Sequence, residues 1–324
     1  MMRRMRPLLL AAALALIAAP APAQQYPSRP VTIMVPFAAG GGSDLLARLV
    51  AQKLEERLGK PFIIENRPGA GTTLAAMQTV RATPDGYTLM QGTSSTMAIN
   101  VTMNKKLPYE PLKDLVPVAL LSSSPFFLVV RTDSPLKTVA DVIAAAKANP
   151  KGLNYGSGGP GSMHHLSTEL LQSLTGIELT HVPYKATPPA VNDLIAGHIQ
   201  LLFGDTTSTL PFIQQGKLRG IAVTTAKRSP AAPDIPAVAE TVPGFESASW
   251  QMLVAPGATP PAIIALLNRE VHAIFSDPAV IQELTRRGIG PALTGPPDEV
   301  AAFVKKEIVR WGDVVRKAGL EGSE

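Results

Sequence analysis

The stretch "VPFAAGGGSDLLARLVAQKLEERLG", residues 35–59, sets the reading of the chain. It begins inside an apolar run, "PVTIMVPF", whose composition predicts a β-strand, and passes through Gly40, Gly41 and Gly42 into an amphipathic helix. Leu46, Val50, Leu54 and Leu58 recur every fourth residue as one apolar stripe, and Gly59 supplies a C-terminal stop. Strand, glycine turn and helix start together form an anion cradle, because the first N–H groups of a helix have no partner inside it. Ser43 or Asp44 is expected to cap the helix. No lysine follows the glycines as a phosphate loop requires, and the dinucleotide spacing is absent.

The same rhythm continues outward. "PFIIENRPGAG" and "GYTLMQGTSS" read as further strands, the second ending in small hydroxyl residues that place Thr93 and Ser94 at a strand end. Apolar "FFLVV" from Phe126 to Val130 is a buried strand bounded by prolines, and "TVADVIAAAKANP" is a helix that Pro150 stops. Strand and helix then alternate again through "LNYGSGGPGSMHHLSTELLQSLTG", "ELTHVPYKATPPAVNDLIAGHIQLLFGD" and "LRGIAVTTAKRSP". This alternation predicts an α/β fold with mainly parallel sheets and a second lobe that starts near Phe126. "SWQMLVAP" is a strand that crosses back, and two helical stretches, "PPAIIALLNREVHAIFSD" and "PDEVAAFVKKEIVRWGDVVRKAG", close the chain. "PFAAGGGSD" and "YGSGGPGSMHHL" each set glycines and hydroxyls between a strand and a helix. Facing each other across a cleft, two such turns would present N–H and O–H donors from both sides, at the strand ends where open α/β sheets bind ligands.

The N-terminus fixes the compartment expected. Arg3, Arg4 and Arg6 precede twelve apolar residues, Leu8–Ala19, and "APA" follows at Ala21–Ala23. That run is too short for a span of about 20 residues and reads as a secretory signal cleaved after Ala23. With no cysteine there is neither a disulfide framework nor an acceptor for a lipoprotein anchor, and the bacterial periplasm is the expected location. Three of the 30 basic residues leave with the signal, which lowers the formal net charge from +5 to +2. No basic tract remains and aromatics are few, so nucleic acid is not an expected partner.

Other chemistries are poorly served. His165 and Glu169 stand four residues apart beside His164, but no third ligand has zinc-enzyme spacing, and no metal or cofactor is expected. A nucleophile elbow is absent, so an exported hydrolase pairing Ser157 or Ser162 with His165 is only the alternative reading, and no enzyme is expected. Asp205, after the apolar run "LLFG", could cap the next helix or orient ligand hydroxyls, ammonium groups or water.

In order, "YPSRPVTIMVPFAAGGGSDLLARLVAQKLEERLGKPFIIENRPGAG", "TPDGYTLMQGTSST", "LPYEPLKDLVPVALL", "LNYGSGGPGSMHHLSTELL", "HVPYKATPPAVNDLIAGHIQLLFGD" and "GKLRGIAVTTAKRSP" resemble the blocks of the Bug family. These are the substrate-binding proteins of tripartite tricarboxylate transporters. The resemblance covers essentially all of the chain after the signal. It implies a two-lobed periplasmic-binding-protein fold in the type II arrangement, with two crossover hinge strands. The lobes implied are 24–125 with 251–324, and 126–250. It further implies a monomer that carries a small carboxylate (a dicarboxylate, amino acid or aromatic acid) to membrane permease subunits. A ligand sensor for a membrane kinase would look the same in sequence.

Carried onto this chain, the resemblance assigns ligand contacts to Phe37, Ala38, Gly41 and Gly42 in the first turn, with Asp44 behind them. Thr93 and Ser94 follow from the "GTSS" strand end, and Ser157, Gly158, Gly161 and Ser162 from the second turn. His165 matches the family's helix-start histidine, and Asp205 a strand-end position facing the distal part of the cargo. The chain departs from the family pattern at Ala38-Ala39, Pro160, Met163 and Ala186-Thr187, which implies a stiffer and less polar second turn.

Overall fold

The computed structural model describes residues 26–184, 187–229, 231–287, 289–290 and 295–323. The signal segment and its cleavage point, and Ala186 of the departure at Ala186-Thr187, lie outside the described residues.

Two five-stranded sheets carry the chain. The first half gives β1 (Val31–Val35), α1 (Gly42–Leu58), β2 (Phe62–Asn66), α2 (Thr73–Val80), β3 (Thr88–Thr93), α3 (Asn100–Met103), α4 (Pro111–Asp114) and β4 (Leu115–Ser124). Then come β5 (Phe126–Arg131), α5 (Val139–Ala148), β6 (Asn154–Ser157), α6 (Met163–Thr175), β7 (Thr180–Pro183), α7 (Thr187–Ala196), β8 (Leu201–Asp205), α8 (Thr206–Gln214) and β9 (Leu218–Val223). β10 (Ser249–Pro256) returns to the first sheet, and α9 (Pro261–Phe275), α10 (Pro278–Arg286) and α11 (Pro297–Lys317) follow. Two closing helices are expected from the sequence; Pro278 starts a third, with Asp277 as its cap.

Strand order explains why the glycine turn recurs. The sheets run β2-β1-β3-β10-β4 and β7-β6-β8-β5-β9. In each, the strand before the glycine turn (β1 or β6) pairs in parallel with two neighbours, and one antiparallel strand (β10 or β5) enters from the other sheet's side of the chain. The two glycine turns therefore occupy equivalent places in two equivalent sheets. This is the two-lobed α/β arrangement that the resemblance implies.

Successive strand residues point to opposite faces, and because both faces are covered the strands are buried almost throughout. Phe126, Leu128 and Val130 join one buried cluster and Phe127 and Val129 another. In the first sheet, Leu46, Val50 and Leu54 of α1 pack with α9 on one face, burying each apolar side chain for about 1.5–3 kcal/mol. Leu58 is only partly covered. On the other face a continuous cluster runs from Met34 and Met90 through Trp250 and Trp311 to Tyr155 and Phe203 of the second sheet. Glu307 of α11 accepts from both indoles, Trp250 Nε1 and Trp311 Nε1, at 2.8 Å each.

The chain changes sheets at Pro125 and again between Val223 and Ser249. β10 belongs to the first sheet from Ser249 onward, so a lobe limit at residue 250 falls inside that strand. The two passages are stitched together: Phe126 N donates to Thr224 Oγ1 at 2.8 Å, Thr224 N to the Phe126 carbonyl at 3.0 Å, and Ser247 N to the Thr224 carbonyl at 2.8 Å. Among the described residues no helix is long and apolar enough to cross a membrane.

Candidate functional site

The carboxyl ends of β1, β3, β6 and β8 open on a cavity of about 500 Å³ between the sheets, within the size range of small-molecule sites. A shallower groove of about 640 Å³ lies against α3 and α11, away from the glycine turns.

The first turn is built from below. Gly40 takes φ +88°, a conformation that favours glycine, and its N–H donates to Asp44 Oδ2 at 2.9 Å. Arg48 Nε donates to the same oxygen at 2.9 Å, and Asn66 Nδ2 donates to Asp44 Oδ1 and to the Phe37 carbonyl, both at 3.0 Å. Burial pushes the Asp44 carboxyl up, but the bonds from Arg48, Gly40 and Asn66 outweigh it and hold it below the usual carboxylate range. Asp44 is not the cap expected of it. The cap position falls to Gly41, which has no side chain, and Asp44 reaches back to lock the turn. The helix start is left open toward the cavity, which Phe37, Ala38, Ala39, Gly41, Gly42 and Ser43 line.

At the end of β3, Thr93 and Ser94 also line the cavity. They differ in what their hydroxyls do. Thr93 Oγ1 accepts from Thr96 N at 3.2 Å and lies 3.1 Å from Thr96 Oγ1, which donates to Thr72 Oγ1 at 2.8 Å. Thr93 thus holds the π-helical turn Ser95–Ile99, a distortion common near functional sites. Ser94 stands next to it on the cavity wall.

The second turn keeps most of its donors for itself. Ser162 caps α6 through its side chain, accepting from His165 N at 3.4 Å and donating to the Gly159 carbonyl at 2.6 Å. Gly161 N donates to His165 Nδ1 at 3.1 Å, and Ser157 Oγ is bonded to His181 Nε2 at 2.6 Å and accepts from Gly159 N at 3.0 Å. Gly158 and Ser162 line the cavity, while Ser157, Gly161 and His165 lie behind it. The histidine facing the cavity is His164, together with the apolar Met163.

His165 belongs to a buried stack beneath the turn. Its ring lies 4.0 Å from that of His181, which stacks on Tyr155 at 4.9 Å. Tyr155 donates its phenol to Glu169 Oε1 at 2.7 Å. Burial, with His165 beside it, lowers the His181 pKa to about 4 despite the opposing charge of Glu169. Neither Ser157 nor Ser162 is bonded to the His165 ring, so the serine–histidine pair of the hydrolase alternative is not formed.

Asp205 completes the far wall. It stands at the cap position of α8 without capping it through its side chain. Thr187 Oγ1 donates to Oδ2 at 2.6 Å, and His164 Nε2 lies 3.1 Å from Oδ1. Burial opposes ionisation, but His164 and Thr187 outweigh it and lower the Asp205 carboxyl below its ordinary value. Of the twelve residues assigned from the sequence, nine thus meet on one cavity wall or the other. His164, Thr187, Ser249 and Gln251 line it without having been assigned. The last two carried a legible signal, since polar residues two apart on a strand share a face.

Residues 46–320 match the family model described as the tripartite tricarboxylate transporter family receptor. The chain is 37% identical over 305 residues to the protein BugT of Bordetella pertussis, covering 94% of this chain and 93% of that one. Among solved structures it resembles Rpa4515 of R. palustris with adipate, at 39% identity and TM-score 0.82, covering 91% of this chain and 98% of the other. It likewise resembles MatC of Rhodopseudomonas palustris with bound malate, at 36% identity and TM-score 0.77, covering 90% and 100%. These matches join the symmetric pair of sheets and the open helix start to one family: the chain belongs to the receptors of tripartite tricarboxylate transporters.

Proposed function

We propose that this protein is a periplasmic solute receptor that closes its two lobes on a small organic carboxylate and hands it, chemically unchanged, to the permease subunits of a tripartite tricarboxylate transporter. The observation that carries the reading is the uncapped start of α1 behind a rigidly held glycine turn, opening on the cleft beside Ser94. Helix-start N–H groups and a hydroxyl bind a carboxylate without a basic side chain, at about 1.5–3 kcal/mol for each charge-assisted bond. Relatives solved with adipate and malate support the ligand class.

Gly41, Gly42 and Ser94 hold the carboxylate, with Phe37, Ala38 and Thr93 shaping that wall. Gly158 and Ser162 meet the cargo from the second lobe when the hinge at Pro125 and at the segment before Ser249 closes. Ser157, Gly161 and His165 act from behind, by keeping the second turn in shape. Hinge closure of this kind gives a permease a surface that differs with ligand state.

Thermal unfolding with a panel of carboxylates tests the reading. A ligand at 100 times its Kd adds about 2.7 kcal/mol of stability, and the expected result is stabilisation by an acid that mass spectrometry recovers intact. Stabilisation by uncharged compounds alone would refute the carboxylate assignment. Recovery of a hydrolysed product would refute the receptor assignment.

A further inference from the structure

The wall opposite the glycine turn carries chemistry of its own. The Asp205 carboxylate is fixed by two groups that also line the cavity, Thr187 Oγ1 at 2.6 Å and His164 Nε2 at 3.1 Å. Phe126 packs edge-on against the His164 ring at 4.8 Å and sets its plane. His164 Nδ1 is buried with no hydrogen-bond partner, and Nε2 also lies 3.3 Å from Thr187 Oγ1, which ties the two groups that hold Asp205 to each other. Asp205 keeps 37% of its side-chain surface open to the cleft. A carboxylate accepts about four hydrogen bonds, so the Thr187 bond and the His164 contact leave Asp205 with acceptor capacity for a cargo. Among the described residues lining the cavity there is no lysine or arginine to offset it.

We infer that Asp205, positioned by His164 and Thr187, is a specificity determinant: the cleft takes acids with one carboxylate and a hydrogen-bond donor (an ammonium, hydroxyl or amide) at the far end, and disfavours acids whose second carboxylate reaches Asp205. The inference rests on the proposal that the glycine turn holds a carboxylate. Two carboxylates brought together in a cleft drained of water repel strongly, whereas an ammonium or hydroxyl donates into the open lone pairs. A cargo of this kind spans the cleft with complementary ends, its anion on the open start of α1 and its donor on the second lobe. Lobe closure is then favoured only by acids that satisfy both walls.

Titration calorimetry on the purified protein at neutral pH tests this with probes matched in carbon count: succinate against γ-aminobutyrate, glutarate against δ-aminovalerate, adipate against ε-aminocaproate, and the corresponding ω-hydroxy acids. The expected result is that, at the length that fits, the amino or hydroxy acid binds at least about tenfold more tightly than its dicarboxylate, or about 1.4 kcal/mol. Asp205→Asn should erase that preference by strengthening the dicarboxylate and weakening the amino acid. Thr187→Val, which keeps the charge, should shrink the preference without reversing it. Dicarboxylates that bind the wild-type protein as tightly as their partners, or more tightly, would overturn this inference alone and leave the carboxylate cradle standing. Failure of every acid to bind would overturn the cradle and this inference together. The wild-type comparison decides even if a variant fails to fold.

Discussion

Replacing Asp44 with alanine should damage both stability and binding, although Asp44 does not line the cavity. Its side chain is 3% exposed and accepts from Gly40 N, Arg48 Nε and Asn66 Nδ2. Arg48 is half exposed and regains water, so that bond contributes little. Gly40 and Asn66 each lose a charge-assisted bond of about 1.5–3 kcal/mol. Gly40 is exposed and recovers part of this from solvent, which leaves a net loss of about 2–3 kcal/mol. For a lobe of this size each kcal/mol lowers Tm by roughly 2–4 °C, so a fall of about 4–12 °C is expected in calorimetry. Because Asn66 also holds the Phe37 carbonyl, the turn loosens. Affinity for the best carboxylate should then drop about tenfold, or 1.4 kcal/mol. Asp44 ionises more readily in the folded protein than in the unfolded chain, so its contribution is complete above the ordinary carboxylate range and is lost as pH falls through the lowered folded pKa. The gap in Tm between wild type and variant should therefore close in acid. An Asp44→Ala protein with unchanged Tm and unchanged affinity would refute the view that this carboxylate shapes the turn.

Thr93 and Ser94 should separate: Thr93→Val lowers Tm because its hydroxyl holds Thr96, whereas Ser94→Ala leaves Tm in place and weakens carboxylate binding about tenfold in titration calorimetry. The same loss of affinity in both variants with no change in Tm would contradict that division. Glu307→Ala leaves two buried indole N–H groups unpaired and should cost roughly 2–4 kcal/mol in urea unfolding. Glu307→Gln, which keeps an acceptor, should cost less, and equal costs would count against the indole contacts. His181 resists protonation in the fold, so the unfolded chain binds the extra proton between pH 6.5 and about 4, and stability falls as pH drops through that window. His181→Gln should flatten the Tm profile there; parallel profiles would show that the stack does not titrate as argued.

What the sequence revealed depended on range. The α1 stripe of Leu46, Val50 and Leu54 is a local periodicity, and the strand–turn–helix beginning was therefore legible. β4 lay hidden in "LVPVALLSSS", where an internal proline and a hydroxyl tail blur the strand signal. Asp44 looked like a cap because capping is judged from neighbours in sequence, yet the φ of Gly40 turns that N–H toward it instead. His164 and His165 are adjacent, and about 100° of helical rotation separates them. Only the position of His181, on a strand reached 16 residues later, decides that His165 turns inward. Ser157 is likewise claimed by His181 across β6 and β7, a pairing no local pattern announces.

A crystal structure with the tightest-binding acid of the panel decides whether the cleft holds a carboxylate on the open start of α1. The expected density places the carboxylate within about 3 Å of backbone N–H groups in the Gly41–Ser43 stretch and of Ser94 Oγ, with the second-lobe turn closed over it. A carboxylate bound elsewhere, or an acid lodged in the cleft with its carboxylate away from that turn, would contradict the claim.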